Sequence, residues 1–104
     1  MKYYKELYRS EDIRYSDWLR IKHDLEKQPL KANVFLITIA ANEQEQLDII
    51  HSKYLIQPYY KERELYIIGL AKKKADAMTI VEQLMQKCVK ARGDANLRAY
   101  LIGE

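Results

Sequence analysis

Two segments of the chain are apolar at both odd and even positions, a pattern typical of strands that are buried on both faces of a sheet. The first is residues 33–41 (NVFLITIAA) and the second is residues 64–71 (ELYIIGLA). β-Branched and aromatic side chains dominate both segments, as they do in strands generally. The pattern therefore predicts two central strands of one sheet.

Three other segments carry apolar residues at the spacing of an α-helix, and residues at their ends mark where the helices begin and stop. Ser10 and Asn42 are suitable N-caps, and Glu45 stands where a capping box would place it. Pro29 and Gly93 stand where helices commonly end. We expect helices at residues 11–27, 43–54 and 73–92.

Two weaker segments complete the predicted sheet as edge strands. Residues 55–60 contain Pro58, which cannot donate to a strand ladder and so fits only an edge. Leu97–Ile102 alternates weakly between apolar and polar positions. Residues 1–9 form a tyrosine-rich lead-in to which no element is assigned.

The resulting element order is α-β-α-β-β-α-β in a single domain of 104 residues. After the first helix, this succession is that of an α+β, ferredoxin-like β-α-β-β-α-β sandwich. Residues 1–31 would then be an N-terminal extension and helix, and residues 32–104 the α/β sandwich. The alternative leaves residues 55–60 as a loop and predicts a small three-stranded α/β parallel sheet.

The predicted central strands carry more apolar surface than the helices of such a sandwich can cover, since those helices lie on one face of the sheet. Phe35 and Ile37 face one way, whereas Val34 and Leu36 face the other. The N-terminal helix would cover about 250 Å² of a face of about 350 Å². We expect a second copy of the chain or another protein to cover the rest. The leading hypothesis is therefore a non-catalytic interaction and assembly domain that acts as a homodimer.

Tyrosine usage favours the same hypothesis. Nine of the eleven aromatic residues are Tyr, and Tyr joins a large apolar ring to a hydroxyl group, which enriches it at interfaces. The candidate interface residues are Trp18, Tyr3, Tyr4, Tyr8 and Tyr66. The alternative is that these rings pack within the monomer.

A second hypothesis concerns an anionic ligand. The chain carries a net charge of +3, and residues 61–92 hold 8 basic and 4 acidic groups. Lys72, Lys73 and Lys74 stand where a predicted strand meets the N-terminus of a predicted helix. Together with Tyr59 and Tyr60, which could stack on a base, they predict a nucleic-acid or phosphate-ligand contact. The alternative is a solvated turn with mobile charges.

Chemistry that needs several placed side chains finds little support. The three glycines form no phosphate-binding loop, and the single Cys88 excludes an internal disulfide and a multi-cysteine metal site. We expect no catalytic set, no metal and no cofactor. The third hypothesis is a small enzyme with a site between subunits, for which His51 and Asp48 alone offer a base and its partner.

The chain also lacks the signals of a membrane or exported protein. Its longest apolar segment falls short of the roughly 20 residues that span a bilayer. The first residues lack the apolar core of a signal peptide. We therefore expect a cytoplasmic protein with no membrane partner.

Two segments resemble known proteins. The opening MKYYKELY and the later strand ELYIIG are similar to segments of small bacterial proteins of unassigned function, a resemblance that implies no activity or site. The predicted element order also resembles that of RNA-recognition motifs, and residues 34–36 are loosely similar to their first strand. Their third strand needs a glycine and two stacking aromatic residues, whereas residues 63–68 supply Tyr66 alone.

Overall fold

The computed structural model describes residues 1–39 and 46–103, and the elements below are those of the described residues. The strands are β1 Lys2–Arg9, β2 Phe35–Ile39, β3 Leu47–His51 and β4 Tyr66–Ala71. The α-helices are α1 Tyr15–Lys27, α2 Pro29–Ala32, α3 Pro58–Lys61, α4 Lys74–Arg92 and α5 Leu97–Ile102. A 3₁₀ helix, Ser52–Ile56, lies between β3 and α3.

The described strands form one mixed sheet in the order β1-β4-β2-β3. β4 pairs parallel with β1 and antiparallel with β2, and β2 pairs antiparallel with β3. The predicted α+β class is confirmed, and β2 and β4 are central strands, as their apolar pattern indicates. The strand order is not that of a ferredoxin-like sandwich, and the sheet is not the three-stranded parallel alternative. The reason is that β1 and β3 come from segments whose sequences predict no strand.

β1 is an edge strand formed by the tyrosine-rich lead-in. Its register on β4 shifts between Tyr3 and Tyr8. Just beyond its end, the amide of Ser10 donates to the carbonyl of Leu70 at 3.1 Å. The two strands approach so closely at Gly69 that a Cβ atom there would lie 2.9 Å from the carbonyl oxygen of Tyr8.

The predicted helix at residues 43–54 is wrong over the part that the structure describes. This part forms β3 and then the 3₁₀ helix. Pairing with β2 explains the difference, because Ile49 packs on one face of the sheet and Ile50 on the other, as adjacent strand residues do. The cap predicted at Asn42 and Glu45 lies outside the described residues.

The two predicted edge strands are helical. Pro58 is the first residue of α3, a position where its missing amide leaves no hydrogen bond unmade. The segment Leu97–Ile102 forms α5, whose first turn is capped by Asn96, since its side chain accepts from the Ala99 amide at 3.1 Å. Gly103 ends this helix with a left-handed backbone.

The two longer predicted helices are confirmed with small changes. α1 begins after Arg14, whose amide donates to the carboxylate of Asp17 at 3.1 Å. The predicted N-cap Ser10 instead donates its hydroxyl to Asp12 at 2.6 Å in the preceding turn. α4 ends at Gly93, whose φ of 79° is the predicted left-handed cap.

Both faces of the sheet are covered by the chain itself, which explains the apolar residues on both sides of β2 and β4. Ile21 and Leu25 of α1 pack with Leu36 and Ile67 on one face. On the other face, α4 and α5 pack against side chains that include Ile37. The predicted N-terminal helix thus covers one face as expected. Short helices of the same chain and α5 pack where a second copy or another protein was expected to supply the remaining cover.

Candidate ligand-binding site at one end of the sheet

The connectivity of the sheet delivers several basic residues to one end. Phe35, the first residue of β2, pairs with His51 of β3 on one side and with Ala71 of β4 on the other. β2 therefore begins in the row where β3 and β4 end. Lys53 and residues 72–74 follow those strand ends in the chain, so they leave the sheet at the same end.

A cavity of about 430 Å³ lies at this end, beside β3, and we name it the aromatic cavity. It combines aromatic rings, an imidazole and two ammonium groups, and no Asp or Glu of the described residues lines it. Such a composition favours a ligand with a flat ring and negative charge. Its lining residues are Phe35, Ile49, Ile50, His51, Lys53, Tyr54, Gln57, Tyr60 and Lys74.

The 3₁₀ helix and α3 carry the two tyrosines of the aromatic cavity. Tyr54 exposes 42% of its surface, and the Lys53 ammonium lies 5.3 Å from the centre of its ring. Tyr60 is half-buried and packs edge-to-face against Tyr59, with 4.9 Å between ring centres. One ring is therefore held by packing, and the other is partly exposed beside the Lys53 ammonium.

His51 lines the aromatic cavity with both ring nitrogens engaged. The amide of Lys53 donates to Nδ1 at 3.0 Å, and Nε2 lies 3.2 Å from the side-chain oxygen of Asn33. The tautomer with its proton on Nε2 satisfies both contacts. Burial, together with the charge of Lys53, lowers the pKa of His51. The imidazole is therefore a neutral part of the cavity wall.

The predicted pair of His51 and Asp48 does not form. Side chains three residues apart share a face on the predicted helix, but they point to opposite faces on the observed strand. Asp48 lies opposite Thr38 in the register with β2. Among the described residues there is also no group of His, Cys, Asp and Glu that could hold a metal ion.

A second cavity, of about 240 Å³, contains three cationic side chains, and we name it the basic cavity. Arg20 comes from α1, Lys31 from α2 and Lys72 from the turn after β4. No acidic side chain in the described part of the chain lines it, although Asp24, outside the lining, pairs with Arg20 at 3.5 Å. Its other lining residues are Ile21, Ala32, Asn33 and Val34.

Asn33 connects the two cavities. It lines the basic cavity, while its side chain holds His51 of the aromatic cavity. The next residues along the chain divide in the same way, since Val34 lines the basic cavity and Phe35 the aromatic one. Asn33 has a left-handed backbone, with φ 49°, which Asn adopts more readily than most residues. The turn at Asn33 thus forms the wall between the cavities.

The five residues predicted to contact an anion are brought together only in part. Lys74 and Tyr60 line the aromatic cavity, and Lys72 lines the basic cavity. Lys73 is the N-cap of α4 and lines neither cavity. Tyr59 packs against Tyr60 from outside the aromatic cavity. The predicted cluster is thus divided between two neighbouring sites.

The five predicted interface residues are half-buried and contact one another within the chain. Tyr3 and Trp18 meet edge-to-face, with 5.2 Å between ring centres. The ring centre of Tyr4 lies 6.1 Å from that of Tyr8 and 6.4 Å from that of Tyr66. Burial raises the pKa of Tyr3 to about 12. A role for these residues between subunits stays a prediction.

Sequence reasoning missed several residues of the two cavities. Asn33 follows a short segment with a proline start, and an Asn at that place is a known helix-ending signal. Tyr54 stood on the apolar stripe of a predicted helix, so its pattern gave no hint of a cavity. Arg20 and Lys31 resemble ordinary surface charges in the sequence, and only the packing of α1 and α2 brings them to Lys72.

Comparison with known protein families, with curated proteins and with solved structures finds no match to this chain. The helices of the described residues include none with both the length and the apolar character needed to cross a bilayer. The functional argument therefore depends on the geometry and chemistry of the two cavities.

Proposed function

We propose that the protein is a non-catalytic binding module for a ligand that carries a flat ring and a phosphate group, such as a nucleotide. The aromatic cavity would be its site. The observation that supports this most is the convergence of Tyr54, Tyr60 and Lys74 on one cavity that no acidic side chain of the described residues lines. Ring stacking and charge-assisted hydrogen bonds are the two interactions that such ligands need.

Each group of the aromatic cavity suits a different part of the ligand. The exposed face of Tyr54 can stack on a base, an interaction worth about 1–3 kcal/mol. The ammonium groups of Lys53 and Lys74 can pair with phosphate oxygens. The amide of Gln57 can donate to and accept from a base edge. His51 is already hydrogen-bonded through both nitrogens, so it shapes the wall.

The test is a titration of the protein with uridine 5′-monophosphate, followed by NMR chemical shifts. Tyr54→Ala should weaken binding about 5- to 150-fold, the range that loss of one stacked base implies. Lys74→Gln should weaken it as well. Inorganic phosphate, which has no ring, is the control ligand: Lys74→Gln should still weaken its binding, whereas Tyr54→Ala should leave its binding unchanged.

Matched control variants lie elsewhere on the surface. Tyr15 exposes 64% of its surface on α1, and Lys90 is exposed on α4, and neither lines the aromatic cavity. Tyr15→Ala and Lys90→Gln should leave the affinity unchanged. Equal losses in the control and cavity variants, or no shift of cavity resonances on titration, would show that the aromatic cavity is not the site.

A homodimer is the second candidate, and a different surface now favours it. The uncovered sheet face that motivated it is absent, because helices of the same chain pack on both faces. Exposed apolar side chains lie instead on α2, the 3₁₀ helix and α3. Leu30 is 64% exposed, Ile56 is 46% exposed and Tyr59 is 53% exposed. These elements are neighbours in the fold, so the side chains offer one surface to a second copy.

The charges beside this surface suit a two-fold symmetric contact. A cavity of about 550 Å³ next to Ile56 is lined by groups of both signs. In a two-fold contact each patch meets its own copy, so a mixed-sign rim can pair with itself. The charged lining residues are Glu26, Glu64, Lys27, Lys61 and Arg63.

Light scattering on a gel-filtration peak, over a range of protein concentrations, tests the homodimer. The wild-type chain should show twice the monomer mass at high concentration, and Ile56→Lys should shift it to the monomer. Leu19→Lys is the matched control, since Leu19 is 52% exposed on α1 and does not line the mixed-charge cavity. A monomeric wild-type chain at every concentration would contradict this candidate.

A further inference from the structure

We infer that the ligand is a single strand of nucleic acid that crosses both cavities, rather than one isolated nucleotide. This inference rests on the proposed function, because the aromatic cavity must hold a base. It goes further by giving a role to the basic cavity, which a single nucleotide in the aromatic cavity would leave unused.

The first argument is the position of the cavities. Asn33 lines the basic cavity, and its side-chain oxygen lies 3.2 Å from Nε2 of His51, which lines the aromatic cavity. Val34 and Phe35 are consecutive and line one cavity each. A ligand with a base in the aromatic cavity therefore has its next groups within reach of the basic cavity. A chain of phosphodiesters supplies such groups at regular spacing.

The second argument is the difference in chemistry between the cavities. The aromatic cavity offers rings and ammonium groups, whereas the basic cavity offers three cations and no ring. Stacking surfaces beside a track of positive charge are the combination by which proteins hold single strands without strong sequence preference. The basic cavity alone would suit a phosphate and nothing more.

The third argument excludes a duplex as the ligand. Tyr54 and Tyr60 line a cavity, so a base must leave its stack to meet them. Bases of a duplex are paired and stacked, whereas those of a single strand are available to aromatic side chains. Helices also pack on both sides of the sheet and cover much of each face. The single strand would therefore bind at the end of the sheet.

The number of cations gives the expected salt dependence. The two cavities together are lined by the cations Arg20, Lys31, Lys53, Lys72 and Lys74. If each meets one phosphate, the logarithm of the binding constant should fall against the logarithm of salt concentration with a slope of about −3.5. Removing two of these charges should change the slope to about −2.1.

The experiment compares a ten-nucleotide oligouridine with uridine 5′-monophosphate on the intact chain. Lys31→Gln/Lys72→Gln removes two charges from the basic cavity and keeps Arg20 for its partner Asp24. This variant should bind the oligonucleotide about tenfold more weakly and with the shallower slope, while its affinity for the monophosphate stays unchanged. Lys5→Gln/Lys90→Gln is the control with the same charge change on exposed residues that line neither cavity.

The outcomes separate the inference from the proposed function. If the monophosphate binds and the oligonucleotide binds no more tightly, the inference fails and the proposed function stands. If the oligonucleotide binds and Tyr54→Ala has no effect on it, the proposed site fails. Equal losses in the basic-cavity and control variants would indicate a general charge effect and overturn the inference. A parallel titration with oligothymidine distinguishes RNA from DNA as the source of the strand.

Discussion

Replacement of Asn33 tests the wall between the two cavities most directly. The side-chain oxygen of Asn33 accepts from Nε2 of His51 at 3.2 Å, and its backbone is left-handed, with φ 49°. Asn33→Ala removes the hydrogen bond and leaves alanine, which has a Cβ atom but no polar side chain, in a left-handed backbone conformation. Asn33→Gly removes the same hydrogen bond but suits the backbone, because glycine has no Cβ.

The two variants should therefore differ in stability by the backbone contribution alone. The hydrogen bond at this exposed place contributes at most about 1 kcal/mol to the free energy of unfolding. The left-handed conformation costs an ordinary L-residue about 1 kcal/mol more. We expect Asn33→Ala to lose about 2 kcal/mol and Asn33→Gly about 1 kcal/mol.

Urea denaturation followed by tryptophan fluorescence measures both values, since Trp18 of α1 is half-buried, packs against the core and contacts Tyr3 of β1. An Asn33→Ala variant as stable as Asn33→Gly would refute the left-handed turn. Two variants as stable as the wild-type chain would refute the hydrogen bond to His51 as well. The second result would also remove the link between the cavities on which a shared ligand depends.

Two further predictions concern the sheet and its end. Gly69→Ala should lower the free energy of unfolding by about 2 kcal/mol. The reason is that the new Cβ would lie 2.9 Å from the Tyr8 carbonyl oxygen and push β1 from β4. An unchanged urea midpoint would contradict this close approach of the two strands. The free energy of unfolding should also decrease as the pH is lowered from 7 to 5. The folded-state pKa of His51 is below its ordinary 6.5, so the unfolded chain takes up a proton first, and protonation of Nδ1 removes the acceptor of the Lys53 amide. The urea midpoint of His51→Gln should decrease less over this pH range than that of the wild-type chain. An equal decrease would contradict the attribution of the pH dependence to His51.

An element can be predicted from the sequence where a local signal, such as a capping residue, determines it. The prediction fails where pairing with another strand determines whether a segment is a helix or a strand. Gly93 marks the end of α4 because its left-handed backbone is a local property. Leu47–His51 carries apolar residues that suit a helix or a strand, and only its pairing with β2 selects the strand. Pro58 was compatible with an edge strand and with a helix start, and the helix start leaves no amide unsatisfied.

The candidate site was predictable in its residue types but not in its arrangement. Lys72 and Lys74 follow a predicted central strand, so both were expected at one end of the sheet. That they serve different cavities depends on α2, whose short course brings Lys31 beside Lys72. The pattern of a four-residue helix is too short to be recognised from hydrophobic spacing.

The cover of both faces limits where this fold can bind anything. Helices occupy each face of the sheet, so the edges and the ends of the sheet remain. The β1 edge exposes Lys2, Lys5, Glu6 and Arg9, and such charges discourage the addition of another strand. The β3 edge leads directly to the end where the two cavities lie. The proposed binding function therefore belongs at that end, where concave surface, aromatic rings and several lysines coincide.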